Sequence, residues 1–287
     1  MLEALAKVVG PPSLVTALAF FFGWTFTNAR FRYFGVDLST LDLSTADYVL
    51  HSVTALFGPM VVLLLLVLLA VGVDGLVSAA VRTRRGARLV RHGARAVLAA
   101  GIAITLAGAA QIYWPMPVRL YFLLPPALLG LGATSAYFAL WTLQQLRRSG
   151  DPSCGDPPSG PTPPPRWLTW GRPPVVLLVV LSAFWTASTY ADALGRGRAQ
   201  QLAQNLWQLP NVTVVSRQPL GLDEPGVSGE RVTPADSLYH YRYVGLYLLI
   251  RSRSKYFLLP QDWTPDDGAV VVIDDNADIR VEFGTGG

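Results

Sequence analysis

The chain has 287 residues, of which 51% are hydrophobic and only 15% are charged, against about 25% charged residues in an average soluble domain. Its net charge of +4 does not indicate a nucleic-acid partner, because the positive residues lie in short segments between long uncharged runs. The composition therefore excludes an ordinary soluble domain and predicts a lipid bilayer as the main partner. The single cysteine, Cys154, excludes an intramolecular disulfide.

Five apolar runs are long enough to cross about 30 Å of hydrocarbon as helices. The predicted spans cover about residues 12–29, 52–74, 96–114, 120–143 and 173–194. The third run is rich in Ala and Gly, which allow close helix contact in lipid, so we expect it to be a packing helix. Residues 1–194 are therefore predicted to form a transmembrane domain, a membrane all-α bundle of five transmembrane helices.

The second predicted helix has a start signal in front of its apolar run. Ser44 is placed as an N-cap, and Asp47, three residues later, suits the positive end of a helix. We therefore expect this helix to begin near Ser44. Pro59 should kink it, because proline removes one backbone hydrogen bond and clashes with the preceding turn.

Basic residues predict the orientation. The N-terminus, the segment 82–95 and the segment 144–172 together carry eleven Lys and Arg residues, whereas the two loops on the other side carry three. By the positive-inside rule the N-terminus is cytoplasmic, and five crossings place the C-terminus outside. Residues 149–166 are rich in Pro, Gly and Ser, and they are predicted to be a disordered cytoplasmic linker.

After residue 194 the chain becomes more polar. A helix is expected over Gly195–Leu209 as a continuation of the fifth span. Strands are then predicted from β-branched and aromatic runs separated by turn residues; they cover Val212–Ser216, Tyr241–Arg251, Tyr256–Leu259, Ala269–Ile273 and Ile279–Phe283. Residues 195–287 are thus predicted to be a small extracytoplasmic α+β domain with a mostly antiparallel sheet.

No catalytic, cofactor or metal signature occurs in the sequence. Phosphate-binding loops, HExxH and CxxC motifs are absent, and the three histidines are expected in separate regions. The run Asp274–Asp278 resembles a calcium loop but has Ile279 where glycine is required, so a polar turn between strands is predicted. We therefore expect no cofactor, no metal and no enzymatic activity.

The segment 30–50 combines aromatic and acidic side chains next to the first span. It is interpreted either as an interfacial anchor with an aromatic belt and a helix cap, or as part of an outward-facing binding site shared with the C-terminal domain. The candidate ligand- or partner-binding residues are Tyr33, Asp37, Asp47, Tyr48, His51 and Trp263. Asp74 is the only acid inside an apolar run, and an intramembrane acid is a candidate functional residue.

Two stretches of the chain resemble a known group. The segments YFGVDLSTLDLSTADYVL (residues 33–50) and YRYVGLYLLIRSRSKYFLLPQDW (residues 241–263) are similar to segments of Streptomyces-like actinobacterial polytopic membrane proteins. The group has no known activity, so the resemblance transfers no functional residue. It implies a location in the bacterial plasma membrane.

These features favour a non-enzymatic membrane protein that binds a protein partner or ligand at the outer surface through its C-terminal domain and the 30–50 loop. Three alternatives stay open. The chain could be a transporter or channel component, with a homo-oligomer forming any pore. It could be an immunity or receptor protein for a secreted toxin, or a membrane-embedded enzyme using the outer-face carboxylates Asp37, Asp42 and Asp47.

Overall fold

The computed structural model describes residues 12–81, 83–113, 123–149, 166–232 and 238–284. Within these ranges the helices are α1 (Pro12–Arg32), α2 (Thr45–Val81), α3 (Arg84–Tyr113), α4 (Leu124–Ser149) and α5 (Arg166–Gln204). The strands are β1 (Asn211–Ser216), β2 (Ser228–Arg231), β3 (Tyr241–Ser252), β4 (Lys255–Pro260), β5 (Val271–Asp274) and β6 (Ile279–Phe283). Short 3-10 turns cover Leu38–Thr40 and Leu206–Gln208.

Four stretches of the described helices are long and apolar enough to cross a membrane. They are Thr45–Ala80, Arg88–Gln111, Leu124–Gln144 and Pro173–Gln204, and they match the second to fifth predicted spans. The first predicted span is helical but is not among these four. Polar residues interrupt the second half of α1, namely Thr25, Thr27 and Asn28. A helical bundle with four candidate membrane spans and a separate antiparallel sheet therefore agrees with the predicted fold class.

Two helices begin earlier than predicted. The arginine-rich segment 82–95 was predicted to be a loop, but α3 already begins at Arg84. Likewise α5 begins at Arg166 rather than at residue 173. Arg, Ala and Leu favour helix, so the backbone hydrogen bonding of a span continues beyond its apolar part. Residues 150–165 of the predicted Pro-rich linker lie outside the described residues.

Small residues bring α3 and α4 together, as predicted for the Ala- and Gly-rich third run. A Cβ added at Gly101 would lie 2.8 Å from the backbone nitrogen of Ala136, and one at Gly132 would lie 2.7 Å from the nitrogen of Thr105. Distances this short leave no room for a side chain. The prediction of a small-residue packing helix is therefore confirmed.

The chain forms two compact units. The first contains Met1–Leu56 and Ala191–Gly287, and the second contains Phe57–Tyr190. The sequence division at residues 194 and 195 did not group the N-terminal stretch with the C-terminal sheet. The second unit holds the apolar bulk of the four candidate spans, and the first unit holds the whole sheet.

The sheet in the first unit is antiparallel, with strand order β5–β4–β3–β1–β6. β2 also pairs with β3, at residues 241–244, so it shares an edge of β3 with β4. The five predicted strands are confirmed. β2 was missed because its sequence, Ser-Gly-Glu-Arg, is polar and fully exposed.

Both faces of the sheet are buried, which explains the unbroken apolar run in β4. Phe257 and Leu259 point into one core, and Tyr256 and Leu258 point into the other. The second core also contains Val212, Val214, Leu246, Val271 and Ile273.

The first core is completed by the segment that follows α1. Phe34 and Leu41 are buried there together with Phe257 of β4 and with Trp263, which follows β4. The Ser252 hydroxyl also donates a hydrogen bond to the carbonyl oxygen of Leu41. Two parts of the chain separated by about two hundred residues therefore share one apolar core.

We predict that Leu41→Ala strongly destabilises the first unit. Leu41 is fully buried, and truncating such a side chain costs about 2–5 kcal/mol because it leaves a cavity. The thermal unfolding midpoint of the detergent-solubilised full chain should fall, as followed by tryptophan fluorescence. Leu238→Ala is the matched control, since Leu238 is 67% exposed. Equal midpoints for the two variants would contradict the shared core.

Candidate functional site

Asp37 forms the cap of a short turn. Its carboxylate accepts a hydrogen bond from the Ser39 backbone N–H at 2.8 Å, at the start of the 3-10 turn Leu38–Thr40. This hydrogen bond lowers the pKa of the Asp37 carboxyl. The Asp37 side chain is exposed. Its hydrogen bond to Ser39 fixes the local turn that places Leu38 and Leu41 in the core.

Asp47 and Ser44 form a reciprocal cap at the start of α2. The Asp47 carboxylate accepts from the Ser44 backbone N–H at 2.9 Å and from the Ser44 hydroxyl at 2.8 Å, while the Asp47 N–H donates to that hydroxyl oxygen at 3.3 Å. The predicted helix start at Ser44 is confirmed. The next residue, Tyr48, is buried and packs edge-on against Phe20 of α1, with ring centroids 5.2 Å apart.

Tyr33, Phe34 and Trp263 form an aromatic cluster that joins the N-terminal segment to the sheet. The Phe34 and Trp263 ring centroids are 5.0 Å apart, and those of Tyr33 and Trp263 are 6.1 Å apart. Trp263 is 7% exposed, so its indole contributes mainly to packing. Of these three rings, Tyr33 alone also lines a surface recess in the first unit.

Buried polar atoms without partners lie around the second half of α1. The Thr27 hydroxyl, the Arg30 Nε and the His51 Nδ1 have no hydrogen-bond partner among the described residues. His51 lies beside Phe26, with ring centroids 6.4 Å apart. Arg30 lies over the Phe31 ring and close enough to Arg198 for the two positive charges to repel. The region is therefore electropositive.

A stripe of small residues holds α5 against α1. Ala191, Gly195 and Ala199 are spaced by four on α5, and all three are buried. A Cβ added at Gly195 would lie 2.3 Å from the Phe26 carbonyl oxygen. This close approach brings the polar ends of the two helices side by side. The sequence analysis does not predict this contact, because the three residues lie at or beyond the end of the fifth predicted span.

A recess of about 380 Å³, here called the arginine recess, lies beside this contact. It is lined by Asn28, Ala29, Arg32, Tyr33, Asp192 and Arg196. Arg196 pairs with Asp192, one helical turn away. Among the described residues no carboxylate pairs with Arg32, Arg30 or Arg198. The recess therefore combines two guanidinium groups, an amide and a phenol with the single carboxylate of Asp192, which leaves the positive charge of Arg32 without a partner and suits an anion.

Asp74 lies in the second unit and lines a different recess, beside Tyr137, Phe138 and Trp141. The structure therefore separates it from the other predicted site residues, all of which belong to the first unit.

The acidic run after β5 forms a polar turn between β5 and β6, as predicted. Its Asp275 pairs with Arg251 at 2.9 Å and accepts from the Tyr256 hydroxyl at 3.3 Å. Burial, followed by the charge of Asp275, raises the pKa of Tyr256. In the described part of the chain, no three His, Cys, Asp or Glu side chains are grouped to hold a metal ion.

We predict that Gly195→Ala destabilises the first unit and distorts the arginine recess. The added methyl group would overlap the Phe26 carbonyl oxygen, and overpacking of this kind costs about 1–3 kcal/mol. Gly197→Ala is the matched control, because a Cβ there meets nothing within 4 Å and alanine favours helix by up to about 1 kcal/mol. The unfolding midpoint should fall for the first variant only; a fall in both would contradict the close packing.

Comparison with known proteins gives no family. The chain matches no protein-family model, no curated protein and no solved structure. Of the predicted ligand-binding residues, Tyr33 lines the arginine recess, while ligand contact by Asp37, Asp47, Tyr48, His51 and Trp263 stays a prediction.

Proposed function

We propose that this is a non-enzymatic integral membrane protein of the bacterial plasma membrane that binds an anionic ligand at its outer surface. The arginine recess is the observation that carries the proposal. It belongs to the unit that contains both the C-terminal sheet and the 30–50 segment. The ligand class that fits it best is the phosphate of an anionic lipid headgroup, for two reasons, the position of the recess and its charge.

Position supports a headgroup ligand. α5 has 39 residues and is roughly 58 Å long at 1.5 Å per residue, whereas the hydrocarbon layer is about 30 Å thick. Its apolar part, residues 173–191, lies between Arg166 and Arg172 at the N-terminal end and Asp192, Arg196 and Arg198 at the C-terminal end. That end therefore emerges from the lipid, and the arginine recess lies at headgroup level.

Charge supports an anion. Guanidinium groups bind phosphate oxygens through two parallel hydrogen bonds, and each charged hydrogen bond contributes about 1.5–3 kcal/mol. Arg32 and Arg196 come from different helices, so they can hold one phosphate from two sides, with the Arg196 guanidinium shared between the phosphate and Asp192. Asn28 and Tyr33 supply further polar groups for a headgroup.

The shared core supports a location of the 30–50 segment and the C-terminal sheet on the same side of the membrane. The 30–50 segment and the C-terminal sheet meet in one core, so both lie on one face of the membrane. An even number of crossings must therefore separate them, and the four candidate spans satisfy this condition. The condition holds whether or not α1 crosses. We propose that α1 is the fifth span, with the N-terminus cytoplasmic and the C-terminus outside, from the distribution of basic residues.

Cysteine labelling tests this topology. In a Cys154→Ser background, Ser39→Cys and Asp266→Cys place thiols at exposed positions of the two parts. Both should react with a membrane-impermeant maleimide in intact cells. In the unmodified chain, Cys154 should react only after the cells are permeabilised. An epitope tag at Met1 should be inaccessible to antibody in intact cells if α1 crosses the membrane. Labelling of Ser39→Cys and Asp266→Cys from opposite sides would exclude the proposed arrangement.

Lipid binding tests the ligand. The full chain in neutral detergent should be stabilised by dihexanoyl phosphatidylglycerol but not by dihexanoyl phosphatidylcholine. Arg32→Gln with Arg196→Gln should weaken the apparent phosphatidylglycerol affinity at least about tenfold, since two charged hydrogen bonds are lost. The thermal midpoint as a function of lipid concentration is the readout.

The matched control is Arg217→Gln with Arg280→Gln. These two arginines are exposed on the sheet and pair with Asp278 and Glu282. The control removes the same charge but should leave phosphatidylglycerol binding unchanged. An equal loss in both double variants would mean general charge attraction, and no stabilisation of the unmodified chain would remove the lipid proposal.

A further inference from the structure

The second recess lies in the helical unit. It has a volume of about 250 Å³ and is lined by Asp74 on α2 and by Tyr137, Phe138 and Trp141 on α4. The Phe138 and Trp141 ring centroids are 6.1 Å apart, with their planes inclined by 34°. One carboxylate therefore faces a set of three aromatic side chains.

The Asp74 carboxylate is incompletely satisfied. Its Oδ1 is buried, and no donor among the described residues reaches it. A buried carboxylate oxygen without a partner is costly. Acids in membrane helices are rare and usually pair with another group. A ligand with a positive charge would supply the missing partner.

The aromatic side chains restrict the class of ligand further. The faces of Trp, Tyr and Phe rings carry negative potential and attract cations within about 6 Å. An anion would be repelled by the carboxylate. A neutral ligand would leave Oδ1 without a compensating charge. The lining therefore favours an ammonium or phosphonium centre.

Access to the recess is from the lipid. Residues 60–73 of α2, immediately before Asp74, are exposed around the whole helix and entirely apolar. Asp74 is seven residues from the end of α2 at Val81, roughly 10 Å along the axis. A ligand that reaches this depth must carry an apolar body as well as its charge.

We propose that the recess formed by Asp74, Tyr137, Phe138 and Trp141 is a binding site for a lipophilic organic cation that enters from the bilayer. Asp74 pairs with the positive centre, and the three aromatic side chains cover it. The site belongs to the second unit, so it is separate from the arginine recess and does not depend on the anion proposal.

Tetraphenylphosphonium is a suitable probe for this site. The full chain in phosphatidylcholine nanodiscs should bind it in equilibrium dialysis. After the binding of each ion to empty nanodiscs is subtracted, tetraphenylborate, an anion of the same size and shape, should bind the protein at least about tenfold more weakly, because it carries the opposite charge. Equal binding of the two ions would overturn the proposal.

Variants locate the site. Asp74→Asn and Trp141→Leu should each reduce tetraphenylphosphonium affinity at least about tenfold, whereas Asp74→Glu keeps the charge and should retain most of it. Trp185→Leu is the matched control, because Trp185 lies on α5 in the same unit and is 42% exposed. If Asp74→Asn fails to fold, the comparison of Trp141→Leu with Trp185→Leu shows whether tetraphenylphosphonium binds at the recess. Unchanged binding in Asp74→Asn, or equal losses in the two tryptophan variants, would overturn the proposal.

A comparison of nanodiscs with different lipids identifies the source of the cation. Phosphatidylethanolamine carries the same ammonium chemistry in its headgroup. If nanodiscs that contain phosphatidylethanolamine prevent tetraphenylphosphonium binding, the cation site is supported and its natural ligand is the ammonium group of a lipid. If the binding is the same with and without this lipid, the cation site is supported and its ligands are free lipophilic cations.

Discussion

The packing of the segment after α1 onto the sheet is the contact on which the first unit depends. Phe34 and Leu41 complete a core whose other half comes from Phe257 and Trp263. Without this segment, one face of β3 and β4 would expose a continuous apolar surface to water, which soluble surfaces rarely tolerate. The sheet therefore needs the N-terminal part of the chain to be stable, and a fragment starting at residue 195 would lack part of its core.

This contact gives the acidic and aromatic residues of the 30–50 segment their roles. Asp37 caps the turn that presents Leu38 and Leu41, and Asp47 caps the helix that presents Tyr48. The caps satisfy backbone groups at the two bends of the segment. The interpretation of this segment as a structural anchor thus has a physical basis, and these caps fully account for the hydrogen bonds that the two carboxylates make in the structure.

The same unit contains the arginine recess. The stripe Ala191, Gly195 and Ala199 brings α5 against α1, and arginines from both helices then share one recess. In the second unit, close packing at Gly101 and Gly132 joins α3 to α4, and α4 carries the aromatic residues opposite Asp74. Small residues at helix contacts therefore build the framework around both recesses.

The sequence alone determined the features that depend on local pattern. Apolar run length located four candidate spans, the Ser44 and Asp47 pair located the start of α2, and β-branched and aromatic runs separated by turn residues located five strands. It did not locate β2, whose polar residues form a strand only because β3 offers an open edge. Nor could it group Leu41 with Phe257 or Asp74 with Trp141, since contacts between distant segments leave no periodic signal. Both recesses were decided by tertiary structure, because each one exists only where two helices place their side chains face to face.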